Sequence, residues 1–94
     1  MTNPIIDLIG TKKWFNNAGE WHREDGPAIE WENGDKSWIV NGKSHRLDGP
    51  AREWGYDNNY YYINGQQLTK DEWESHPLRK DYVIKENLKS ILHD

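Results

Sequence analysis

Two histidines and two arginines recur together in this chain. His22, Arg23 and Asp25 open the run HREDGPAIEW at residues 22–31, and His45, Arg46 and Asp48 open HRLDGPAREW at residues 45–54. Imidazole titrates near neutrality and ligates metals, so His22 and His45 could act as general bases of a small hydrolase or as a metal pair. Arginine's planar fork suits a phosphate, so Arg23 and Arg46 could hold a nucleotide. The surroundings support neither chemistry. No third ligand follows at a diagnostic spacing, the chain has no cysteine, and none of its glycines falls in a phosphate-loop pattern. Catalytic groups also seldom recur in register along a repeat. Catalytic residues, metal and cofactor are therefore all left unassigned. For the arginines the alternative is internal: a pair with the aspartate two positions on, or an Arg lying over Trp14 on the strand opposite.

The elements that would position these residues are repeats of 23. Sliding the chain by that period lays Phe15 over Trp38 and Gly19 over Gly42 without a gap, and it lays WIVNGK (38–43) over YYINGQ (61–66) in a decayed third copy. There Leu68 and Thr69 replace the His-Arg pair. Such fixed-period similarity marks a repeat architecture with atypical end copies. Asn41-Gly42 and Asn64-Gly65 stand between strand-like runs, the strongest short signal for a β-hairpin. Ala18-Gly19 is a weaker version, and Asn33-Gly34 and the GYDNN stretch supply further turns. In Asp-Gly-Pro, aspartate favours a tight turn and proline belongs at the start of a strand, so the phrase ends one hairpin and begins the next strand. The expected fold is mostly β: an antiparallel meander of about three 23-residue hairpin repeats over residues 13–68. It is capped by one or two C-terminal α-helices over 69–94, all in one domain of residues 1–94.

A two-residue Asn41-Gly42 loop pairs Ile39 with Ser44 and Trp38 with His45. Alternation then sets Trp38, Val40 and His45 on one face, and Ile39, Ser44 and Arg46 on the other. By the same rule Phe15 faces His22 and Tyr61 faces Leu68. A ladder of Phe15, Trp38 and Tyr61, backed by His22, His45 and Leu68, is expected to form the buried side. Thr69 and Glu72 form a capping box that opens a short helix carrying Trp73. From Leu78 to about His93, Ile84, Leu88 and Ile91 recur at helical spacing, and that narrow stripe calls for a sheet to cover. The first dozen residues give too little pattern to assign. If the helix covers the Trp38 side, then Trp14, Trp21, Arg23, Ile39, Arg46, Tyr60 and Tyr62 remain in water on the other. Exposed aromatic patches mark binding sites, and Trp, Tyr and Arg dominate binding hot spots.

Composition narrows the classes. Leu, Ile, Val and Phe number only 17 of 94 residues, but six Trp and five Tyr can build a core of rings instead. The net charge of −4, with no basic or acidic run, gives no field for DNA or for an anionic membrane. The start, MTNPIIDLIG, has neither a basic n-region nor an apolar stretch of signal length, and the cysteine-free chain reads as cytoplasmic.

The run from Trp38 to Ala51, W-x-V-N-G-K-x-H-R-x-D-G-P-A, resembles MORN-type repeats. More narrowly, the chain is similar to the "HRxDGPA" hairpin-repeat proteins found largely in bacteriophages and large viruses. The likeness spans residues 13 to 68 and rests on His22, Arg23, Asp25, Gly26, Pro27 and Ala28, and again on His45, Arg46, Asp48, Gly49, Pro50 and Ala51. Ordinary MORN repeats carry Gly-x-Gly where this chain has Asp-Gly-Pro, so their lipid binding does not carry over. The resemblance implies the hairpin fold and a viral source, and it supplies no active site. The expectation is a small non-enzymatic protein that binds a host protein in the host cytoplasm, with a counter-defence or host-takeover role. The alternatives are a sponge for a nucleotide signal, stacking a base on Trp or Tyr, and the His22/His45 hydrolase. Open strand edges also permit a homo-oligomer.

Overall fold

A computed structural model describes residues 3–93 of the chain. Residues 1, 2 and 94, at the ends of the expected domain, lie outside the described residues. The architecture is the expected one, an antiparallel β meander followed by helices. Nine short strands are found among the described residues: β1 (Ile5–Ile6), β2 (Lys12–Lys13), β3 (Ile29–Glu30), β4 (Lys36–Ser37), β5 (Ile39–Val40), β6 (Lys43–Ser44), β7 (Arg52–Trp54), β8 (Asn58–Ile63) and β9 (Gln66–Leu68). They precede α1 (Lys70–Glu74) and α2 (Pro77–His93). The main sheet runs β1-β2-β3-β4-β7-β8-β9, with β5 and β6 paired beside it.

Each repeat has one long extended stretch. Its first half enters the main sheet and its second half folds into a hairpin. In the second copy Lys36 and Ser37 pair with β3 and β7, while Ile39 and Val40 pair with Ser44 and Lys43 as the two-residue loop requires. Asn41 (φ 48°) and Gly42 (φ 78°) are both left-handed, and Asn64 and Gly65 repeat this, which is why Asn-Gly occupies both turns.

The first hairpin departs from the gapless repeat. Phe15 faces Trp21 rather than His22, and the Asn16 amide donates to the Glu20 carbonyl. The loop is therefore the three residues Asn17-Ala18-Gly19, with the Asn16 side chain accepting from the amides of Ala18 and Glu20. One residue more in this loop shifts everything before it. Trp14, not Phe15, is the counterpart of Trp38: the Trp14 amide donates to Ala28 as that of Trp38 does to Ala51. Likewise the His22 amide donates to Trp14, and that of His45 to Trp38.

Buried residues lie on both faces of the sheet: Ile29 and Ser37 on one, and the larger group on the other. Ala28 and Ala51 are fully buried there beside Trp14 and Ile63. The Asp-Gly-Pro loops fold back across this face, and in the third copy α1 does so. Its capping box forms as expected: the Thr69 side chain accepts from the Glu72 amide, and the Glu72 carboxylate accepts from the Thr69 amide. The expected ladder does not form. Phe15 stacks on Trp21 (4.6 Å between centroids), Tyr61 packs against Trp73 (4.9 Å), and Trp38 receives the Arg46 guanidinium instead. The expectation that α2 covers the sheet also fails. α2 packs on α1, and Ile84, Leu88, Ile91 and Leu92 stay exposed. The Asp-Gly-Pro loops and α1 already occupy the Trp38 side. The molecule is elongated, 43 × 30 × 26 Å.

Candidate binding face

The repeated phrase turns out to be a joint. The Arg46 side chain leaves the strand after β6 and turns back, against the expected alternation, so that its Cζ sits 3.6 Å from the centroid of Trp38. Nε donates to Asp48 at 2.8 Å, and Nη1 donates to the Pro50 carbonyl at 3.0 Å and to Glu53 at 2.9 Å. Arg23 does the same over Trp14, with Asp25, the Pro27 carbonyl and Glu30. The hydrogen bond from Arg23 holds the Asp25 carboxyl below its ordinary value. Glu30 and Glu53 are the far ends of these clamps. Gly26 and Gly49 leave room for the guanidinium: an added Cβ would stand 2.7 Å from the Arg23 Cζ and 2.8 Å from the Arg46 Cζ.

Each histidine ties one hairpin to the next. The Asn41 amide donates to His22 Nδ1 at 2.9 Å, and the Asn64 amide donates to His45 Nδ1 at 3.0 Å. Backbone bonds flank each clasp: Arg23 amide to Ile39 and Gly42 amide to Trp21, then Arg46 amide to Tyr62 and Gly65 amide to Ser44. The third copy has no following Asn-Gly turn to hold, so its equivalent position needs no imidazole and carries Leu68. There Trp73 replaces the arginine clamp, packing against Tyr61 while its Nε1 donates to the Arg46 carbonyl at 2.9 Å. The two histidines thus belong to separate joints. No cluster of three His, Cys, Asp or Glu able to hold a metal occurs among the described residues.

The seven residues expected on one surface divide between two. Trp14 is buried, at 7 % exposure, beneath Arg23, and Arg23 and Arg46 are spent in the clamps. These three lie on the covered face, because the Asp-Gly-Pro loops return over it. Trp21, Ile39, Tyr60 and Tyr62 belong to the other face and are partly exposed. The pairing Ile29–Ser37–Arg52–Tyr60 and the strict alternation along β7 and β8 add Trp31, Trp54 and Arg52 to that side. Trp54 is its hub: it meets Trp31 and Tyr60 edge-on at 6.2 and 5.9 Å, and its Nε1 donates to the buried Ser37 hydroxyl at 3.3 Å. Arg52 lies against Tyr62 (4.5 Å) and Trp54 (5.1 Å), and its Nη2 donates to Ser44 Oγ at 3.4 Å.

Arg52 is not among the seven residues expected from the sequence, although the sequence carries a signal for it. The matched decamers differ at only two positions, Glu24 against Leu47 and Ile29 against Arg52. The second puts a charge in a seat that is apolar and buried one repeat earlier.

No protein-family model matches this chain, and no curated protein or solved structure matches it either. No helix among the described residues is long and apolar enough to cross a membrane.

Proposed function

We propose that this chain is a non-enzymatic binding protein that engages another protein through its uncovered aromatic face. Its resemblance to the phage hairpin-repeat proteins makes a protein of the infected host the fitting partner, in a counter-defence or takeover role. The observation that carries the reading is the division of the two faces. One is crossed by the clamps and α1, while the other carries the partly exposed rings of Trp21, Trp31, Trp54, Tyr60 and Tyr62, with Arg52 against Tyr62 and Trp54. Rings of this kind bring large contact area with few rotatable bonds, which suits an interface anchor. The nucleotide sponge relied on Arg23 or Arg46 for its phosphate, and both are committed internally; the hydrolase relied on two histidines that serve separate joints. Affinity capture from a bacterial lysate tests the proposal. One host protein should be retained, and Trp21→Ala or Tyr62→Ala should release it with the fold intact. Retention unchanged by both substitutions overturns the reading.

A further inference from the structure

We propose that Arg52 takes a carboxylate, an aspartate or glutamate side chain of the bound protein, with an apolar neighbour of that residue lying on the rings alongside. This rests on the binding role of the uncovered face and deepens it. Three observations carry it. First, the repeat breaks its own rule here, setting Arg52 where the preceding copy has buried Ile29. Second, the rest of the protein takes up few of its donors. Arg23 and Arg46 each make three hydrogen bonds, two of them to carboxylates. Arg52 makes one long bond to a hydroxyl and meets no carboxylate among the described residues. Third, the guanidinium is held between defined neighbours, Tyr62, Trp54 and Ser44, so little side-chain freedom remains to be lost on binding.

The charge balance selects the ligand class. A guanidinium edge matches the paired oxygens of a carboxylate and of a phosphate alike, so the choice between them falls to charge. A phosphate monoester carries nearly two charges at neutral pH. One arginine in a chain of net charge −4 is a poor match for it.

The test uses the whole chain in solution and phenylacetate as probe, because it joins one carboxylate to one ring. In NMR titrations the Arg52 Nε–H and the ring signals of Tyr62 and Trp54 should shift and saturate, while the Nε–H signals of Arg23 and Arg46 stay in place. The neutral isostere phenylacetamide should bind at least tenfold more weakly. Arg52→Ile restores the residue of the first repeat; it should keep or raise the melting temperature and weaken phenylacetate binding at least tenfold. Arg52→Lys keeps the charge without the fork and should fall between. Shifts that never saturate, that spread evenly over the three arginines, or that survive Arg52→Ile overturn the proposal. Tighter binding of phenyl phosphate or AMP than of phenylacetate overturns it in favour of a phosphate ligand. A partner captured by wild type and by Arg52→Ile, but lost with Trp21→Ala, refutes the role of Arg52 alone. Capture indifferent to Trp21→Ala and Tyr62→Ala refutes the face itself.

Discussion

At Gly49 the missing side chain matters for its volume. The residue is buried, and a Cβ there would press on a guanidinium already pinned by a ring, two carboxylates and a carbonyl. Gly49→Ala should lower stability by about 1–3 kcal/mol, the usual cost of overpacking. In an Arg46→Ala background the same change should be nearly neutral; denaturant unfolding of the four variants checks the coupling. His45 gives a pH test. Burial first, and the nearby charge of His76 second, hold its pKa below the ordinary 6.5. Its Nδ1 must also stay unprotonated to accept from Asn64. Above pH 6.5 both folded and unfolded chains hold the neutral ring, and the full stability is present. As pH falls below 6.5 the unfolded chain binds the proton first, so stability declines until the folded-state pKa is passed. Melting temperature should therefore drop between neutral and mildly acidic pH. In His45→Leu the decline should be smaller, at the cost of about 0.5–1.5 kcal/mol at neutral pH for the lost hydrogen bond.

Among the elements, α1 and α2 have unequal parts. α1 completes the third repeat: Trp73 is buried, bonded to the joint above it and packed on Tyr61. Thr69→Ala removes the cap and should cost about 1 kcal/mol. α2 holds on through its first turns, where Arg79 lies over Trp73 at 4.5 Å and Tyr82 and Val83 are partly covered. Beyond them its apolar stripe touches solvent, and its ion pairs, Lys85 with Asp81 and Lys89 with Glu86, are exposed and worth little. A chain ending at Val83 should therefore keep the cooperative unfolding of the sheet and α1, whose contacts it leaves in place. Calorimetry compares the two directly.

For the whole molecule, the two sheet faces differ in what crosses them, and the proposed binding role predicts that stability and partner capture respond to different residues. Trp14 and Trp21 lie seven positions apart, yet one is buried under an arginine and the other stacks on Phe15 at the open face. Trp14→Ala should cost about 3–5 kcal/mol, as emptying a large buried ring site does. Trp21→Ala should leave the cooperative unfolding transition in place and remove partner capture. Thermal melts beside the capture assay separate the two outcomes.

What the residues alone determined was local. Asn41-Gly42 and Asn64-Gly65 specify their turns because positive φ at two successive positions admits few other residues. The pairings Ile39–Ser44 and Tyr61–Leu68 follow from loop length, and Thr69 with Glu72 caps α1 through contacts three residues apart. At Ala18-Gly19 loop length is ambiguous, and the 23-residue period alone puts Phe15 in the seat that Trp14 takes. Only the tertiary structure decided which face was covered, because that depends on the Asp-Gly-Pro segments crossing back over the sheet. The same crossing brings Arg46 onto Trp38 and hides Trp14. The link from His45 to Asn64 spans 19 residues and exists only once neighbouring hairpins lie side by side. Arg52 is conspicuous only beside Arg23 and Arg46, since which carboxylates a guanidinium meets is decided by what surrounds it in space.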